Sequence, residues 1–313
     1  MLTLCTKDRL NPLARVSPLP AGPGPAQGRR ALMRALVGVM GHRGAMAVAW
    51  PATASASAFG AAEPGPQLRI GGVGAAVGTM NSALAALAQR GRDVPARVVS
   101  HLGSVGSLRA VEQGVLDLAL ISRPLQADER MRGLQAWEYG RTPFALATTM
   151  PGVTGLTRVR LAEMIEDPRA TWPDGTPVRL VLRPKSDGDY ALLASMGPLV
   201  ELALARANAR VGMVIAMTDQ EAVDAVVRLR GGLGAFGLSL LRSGPQTLSP
   251  LALDGVAPTV ANVENANYRI VNRMHVVTLG APGGVALEIV QFFQSPEGLA
   301  LLAQLGHSTR IAR

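Results

Sequence analysis

Cysteine is nearly missing: Cys5 is the only one in 313 residues. That excludes a disulfide framework, a Cys-rich metal site and a thiol pair. Lysine is almost absent too, occurring only as Lys7 and Lys185. Arginine takes its place, which reads as genome composition bias. Aromatic residues make up 4% of the chain, too few for base-stacking surfaces. The four histidines, His42, His101, His275 and His307, are scattered without ligand spacing, so no metal site is expected. Charged residues are 17% against 48% hydrophobic. This rules out a disordered polyelectrolyte and supplies a real core. The length exceeds one typical domain and favours two lobes.

The charge is unevenly placed. Of a formal +9, residues 1–58 hold seven basic groups (Lys7, Arg9, Arg15, Arg29, Arg30, Arg34, Arg43) and one acid, Asp8. That leaves 24 basic and 21 acidic groups in residues 59–313. The body is nearly balanced, so a nucleic-acid partner is not expected. Residues 11–28 are rich in Pro, Gly and Ala without periodicity and are expected to be disordered. A basic stretch, 28–34, precedes an apolar run over 35–50, interrupted at His42 and Arg43. Then come Ala54-Ser55-Ala56 and Ala56-Ser57-Ala58, both small-x-small cleavage patterns. This predicts a signal peptide ending at residue 58 and a secreted or periplasmic product. Arg29-Arg30 faintly resembles a twin-arginine signal, leaving the export route open, and Met33 is an alternative start. No uninterrupted apolar run reaches the ~18 residues of a membrane span. No cysteine follows the cleavage patterns, so lipid anchoring is not expected either.

From residue 68 the chain alternates. Strands are predicted at 68–70, 95–100, 116–122 and 144–149, with helices at 79–90 and 104–113. After Pro151-Gly152 the rhythm restarts: helix 158–166, strand 178–182, and helix 187–206 disturbed at Gly197-Pro198. Strand 213–217, helix 219–229 and strand 234–238 follow. A long strand at 268–279 and helices at 285–293 and 296–305 close the chain. This predicts an α/β fold of two doubly wound lobes with parallel sheets. Lobe 1 is expected over 59–145 plus 270–313 and lobe 2 over 146–269, hinged by two crossings. Ligands of such sheets lie at the carboxyl ends of strands.

Four loops fall at such ends. Gly72-Val73-Gly74-Ala75-Ala76-Val77-Gly78 joins a strand to a helix, and its glycines would let backbone N–H groups approach an anion. A nicotinamide-dependent oxidoreductase is therefore an alternative. That reading wants an acid at the end of the second strand, which ends Val99-Ser100-His101. Tight packing explains the glycines equally well. In the second loop, Ser104 and Ser107 offer hydroxyls at a helix start, where capping is the simpler account; neither has a nucleophile frame. The third loop carries Ser122 and Arg123 before Pro124, a pairing suited to an anion. The fourth, 182–190, presents Arg183, Ser186, Asp187 and Gly188, with S-x-x-D capping as the simpler account. Together the loops are rich in donors and suggest an anion held between two lobes.

The stretch LGSVGSLRAVEQGVLDLALISRPL, residues 102–125, resembles the periplasmic phosphate-binding proteins of ABC importers, of the type 2 periplasmic-binding fold. NANYRIVNRMHVVT at 265–278 stands in the place of that family's return crossing, and FFQSPEGLALLAQLG at 292–306 is similar to its closing helices. The resemblance implies a monomeric, non-enzymatic capturer of phosphate or a related oxyanion, without cofactor, that delivers to an ABC permease. It implies ligand contacts from Gly74, Gly78, Thr79, Ser104, Ser107, Ser122, Arg123, Arg183, Ser186, Asp187 and Gly188. Two departures stand out. The family's R-x-x-x-S-G-T reads here as Arg183 followed by Asp187-Gly188-Asp189, and its acid after the strand serine is Arg123. A donor and an acceptor have traded places, and Arg123 and Asp187 are expected to face each other across the cleft. A degenerate sensor or scaffold built on the same fold is a further alternative.

Overall fold

The computed structural model describes residues 67–243 and 247–310. The expected leader, its cleavage patterns at 54–58 and the alternative start at Met33 lie outside the described residues.

β1 (Leu68–Gly72) leads into α1 (Gly74–Gln89), followed by β2 (Ala96–Val99), α2 (Gly103–Glu112) and β3 (Leu118–Ile121). A short α3 (Ala127–Met131) precedes β4 (Leu134–Thr148), which is 15 residues long. Next come β5 (Gly155–Leu156), α4 (Arg158–Glu166), β6 (Arg179–Leu182), α5 (Gly188–Ala194) and α6 (Pro198–Ala207). β7 (Val214–Ile215), α7 (Asp219–Arg228), β8 (Gly232–Gly237) and α8 (Leu238–Ser243) complete the middle of the chain. β9 (Ser249–Pro250), β10 (Ala252–Leu253), α9 (Val260–Glu264), β11 (Val271–Leu279), α10 (Gly284–Gln294) and α11 (Pro296–Gln304) follow.

The main sheet runs β2-β1-β3-β11-β4-β8-β6-β7, with β9 added beside β4. β1 pairs in parallel with β2 and β3, and β6 in parallel with β7 and β8. The centre departs from the expected parallel sheets. β11 runs antiparallel to both β3 and β4, and β4 antiparallel to β8. The two α/β halves are thus joined by two long strands lying side by side. Only the apolar end of β4 was legible as strand, because its first half, LQAWEYGRT, interleaves polar residues and a glycine.

Local chemistry fixes the helix ends. Thr157 caps α4 by accepting from Arg160 N, and Thr218 caps α7 by accepting from Glu221 N. The Gly197-Pro198 break divides the expected 187–206 helix, with Pro198 in the first turn of α6. α1 differs from its prediction: it starts at Gly74, five residues before Thr79, and Val73 at its N-cap offers no side chain. Its first N–H groups are left for a partner from elsewhere.

Three buried clusters hold the fold. One gathers Ile70, Met80, Leu118, Phe236, Val276 and Phe293 around β1, β3 and α1. A second collects Phe144, Leu161, Trp172, Val200 and Leu233 under α4 and α6, and a third packs α2 on β3 through Leu108, Val111 and Ile121. Each large side chain so buried contributes roughly 1.5–3 kcal/mol. The clusters carry β1, β3 and β6 so that their carboxyl ends point to one place.

Candidate functional site

The starts of α1, α2, α5 and α7 converge on the ends of β3 and β6. The free N–H of Ala75, in the first turn of α1, donates to Asp219 Oδ2 at 3.2 Å. Asp219 comes from α7, 144 positions away. A Cβ on Gly74 would lie 2.9 Å from both Cβ and Oδ2 of Asp219, so glycine there makes the approach possible. Gly72 is equally constrained, since a Cβ there would meet Leu120 Cβ at 2.4 Å. Packing therefore accounts for these two glycines without a dinucleotide.

Arg183 closes the end of β6 and is buried. Its Nη1 donates to Ala216 O at 2.9 Å and its Nη2 to Asp187 Oδ2 at 2.8 Å. Nη2 also lies 3.3 Å from Asp219 Oδ1. Its Nε is buried without a hydrogen-bond partner. Asp187 caps α5 through its other oxygen, which accepts from Asp189 N at 2.9 Å. Asn272 of β11 donates Nδ2 to Asp189 Oδ1 at 3.2 Å, and its own Oδ1 is buried and unpartnered. Burial pushes the Asp189 carboxyl well above the usual range, helped by the charges of Asp219 and Asp187. Burial pushes Asp219 up as well, against the pull of Arg183. One guanidinium thus faces three carboxyl groups.

The Asp219–Ala75 contact stands between two cavities of about 340 Å³ each. Gly74, Gly78 and Arg183 line the first. Ser104, Ser122, Arg123, Ser186, Asp187 and Gly188 line the second, with Asn272. Thr79 and Ser107 line neither. Thr79 is buried with its hydroxyl 3.0 Å from His307 Nε2, and Ser107 donates to Gly103 O at 2.6 Å. Nor do Arg123 and Asp187 pair across the cleft. The fork of Arg123 is taken by Glu129, at 2.8 and 2.7 Å, and Asp187 is held by Arg183. The cause is local: Glu129 lies six residues beyond Arg123, on the five-residue α3, too short to show a helical period. Among the described residues, no cluster of His, Cys, Asp and Glu could hold a metal ion, and no helix is long and apolar enough to cross a membrane.

Sequence reasoning missed Asp219, Asp189 and Asn272. Asp219 has the sequence signature of an ordinary first-turn acid of a helix. Its one signal was position, since α7 also begins at the carboxyl end of a strand. Asn272 sits within a strand and gave none.

The model of the PBP superfamily domain matches residues 53–297. No curated protein matches the chain in sequence. A solved structure described as a phosphate ABC transporter substrate-binding protein from Clostridium perfringens, with bound phosphate, is similar at 21% identity and a TM-score of 0.66; the match covers 79% of this chain and 100% of that one. An ABC-type phosphate transport receptor from Vibrio cholerae is similar at 17% identity and a TM-score of 0.55, over 77% of this chain and 99% of that one. A periplasmic protein described as metal-binding matches at 16% identity and a TM-score of 0.55, over 79% of this chain and 97% of that one. At these identities the likeness is one of fold.

Proposed function

Since the chain belongs to the PBP superfamily, we propose that it is the solute-capturing component of an ABC importer and takes a protonated oxyanion of the phosphate type. The observation that carries this reading is the two-sided chemistry of the cleft. Donors come from the starts of α1 and α2, from Ser122 and from Arg183. Acceptors come from Asp187 and Asp189. A helix start and a guanidinium suit an anion. A carboxylate beside that anion is repulsive unless a proton lies between them. Monohydrogen and dihydrogen phosphate carry such a proton, and sulfate at neutral pH does not.

In this reading the protein acts in the periplasm as a monomer and docks on a permease. Its lobes are residues 59–145 with 270–313 and residues 146–269, and they close about β4 and β11. Hinge closure around the ligand is the usual response of such folds. The excess of three carboxyl groups over one guanidinium favours a second reading, in which a zwitterion places its ammonium against the acids. Titration calorimetry with phosphate, sulfate and glycine separates the two. Saturable phosphate binding, at least about tenfold tighter than sulfate, supports the oxyanion. Heat from glycine alone would replace it with the zwitterion.

A further inference from the structure

The anion cradle of this chain is already filled, by one of its own side chains. Asp219 presents one oxygen to Ala75 N at 3.2 Å and the other to Arg183 Nη2 at 3.3 Å. A helix start on one side and a guanidinium on the other are what a captured oxyanion would meet there. We infer that Asp219 is a resident occupant of the cradle, latching α7 onto α1 in the absence of solute, and that an incoming oxyanion binds by displacing it.

Three observations support this. The contact joins elements 144 positions apart, one from each half of the fold. α1 has no cap of its own, so Asp219 satisfies a donor that otherwise needs water or ligand. Asp219 does not exhaust the cradle either. Arg183 Nε and Asn272 Oδ1 are both buried without a partner, and the two residues that carry them stand one at each of the cavities flanking the latch. A ligand larger than a carboxylate, with a donor as well as acceptors, would satisfy both. Buried groups left unmade are costly, which gives an oxyanion its advantage over Asp219.

The oxyanion half of this inference rests on the reading above, and the latch half does not. Breaking the latch should open the ligand-free cleft and remove an internal competitor. The apparent affinity of a ligand falls by the fraction of protein able to receive it, so freeing the cradle raises affinity by the inverse of that fraction. Two variants approach the contact from opposite sides. Asp219→Ala deletes the carboxylate. Gly74→Ala leaves every charge in place but puts a methyl group 2.9 Å from Cβ and Oδ2 of Asp219, too close for the latch to stay as it is.

Small-angle scattering of the phosphate-free protein reads the latch, and calorimetry with inorganic phosphate reads the competition. The wild type should be compact without phosphate, and both variants should be more extended while still unfolding cooperatively. Their phosphate affinity should rise by about tenfold or more. Extended variants in which neither they nor the wild type bind phosphate would leave the latch standing and sink the oxyanion reading. Variants as compact as the wild type without phosphate would overturn the latch, whatever their affinity.

Discussion

Arg123 and Glu129 form a two-pronged pair, Nη1 to Oε2 at 2.8 Å and Nη2 to Oε1 at 2.7 Å. Glu129 is the deeper partner, with 7% side-chain exposure against 24% for Arg123. The Arg123 guanidinium holds the Glu129 carboxyl below its usual range. An arginine so engaged braces the loop between β3 and α3 more than it grips a ligand. Arg123→Ala leaves a buried carboxylate unpaired. The partial exposure of Arg123 puts the cost between that of a surface pair and a buried one, roughly 2–3 kcal/mol. Phosphate affinity should change by less than about threefold, because Arg183 remains. Thermal unfolding and calorimetry on the same preparation check this. A large loss of affinity at unchanged stability would make Arg123 the clamp after all.

Asp187 bears on selectivity. It joins Arg183 at 2.8 Å and caps α5 through Asp189 N at 2.9 Å. Asp187→Asn keeps an oxygen for the cap and removes the charge. If Asp187 accepts the proton of a bound phosphate, the preference over sulfate should shrink toward unity. An unpaired buried acceptor costs about 1–3 kcal/mol, so the ratio lost is about tenfold or more. Competition calorimetry measures that ratio. If it stays the same, Asp187 serves only Arg183 and the helix start.

What the sequence disclosed and what it hid divide along one line. Short-range signals were legible. The Gly197-Pro198 break, the helix beginning at residue 219 and the apolar strands β3 and β6 follow from turn chemistry and periodicity alone. They place every anticipated loop at a strand's carboxyl end. Pairings between distant segments were not legible. The antiparallel place of β11 between β3 and β4 depends on nonlocal register. Asp219 reaches Ala75 across 144 positions, and no local pattern marks an acid that will cap another helix. Thr79 shows the same limit. The family resemblance implies a ligand donor there, but α1 begins early and turns Thr79 inward to His307.

His307 should set the acid limit of stability. It is fully buried, and its ring Nε2 lies 3.0 Å from Thr79 Oγ1. Burial lowers its pKa to about 4, with Arg242 adding in the same direction. The native state therefore binds this proton more weakly than the unfolded chain does. Stability should fall as pH drops from about 6.5 toward about 4, by about 3 kcal/mol from this group. His307→Gln keeps a polar partner for Thr79 and removes the titration. Thermal unfolding across that range should show the variant gaining stability relative to the wild type as pH falls. Parallel limbs would assign acid loss to other groups.

Asp189 should act with the opposite sign. Its carboxyl is raised by burial first and by Asp219 and Asp187 next, with Arg183 and the Asn272 amide pulling the other way. A carboxyl whose native pKa is raised is fully stabilising only below its unfolded pKa, near 4. Its contribution declines as pH climbs toward the native value, because the native state must then hold a charge it disfavours. Between about pH 4 and 6.5 this loss runs against the gain from His307, so the wild-type curve should be shallow there. Asp189→Asn removes the losing component while leaving an oxygen to accept from Asn272 Nδ2. The variant should match the wild type near pH 4 and become the more stable of the two as pH rises, with a steeper climb through that window. Asp219 titrates in the same direction, so Asp189→Asn removes part of the slope and not all of it. Chemical denaturation at closely spaced pH values resolves the difference. A variant less stable than the wild type at neutral pH would mean that Asp189 is charged in the native cleft, held there by Arg183, and that the cleft is more acidic than its burial implies.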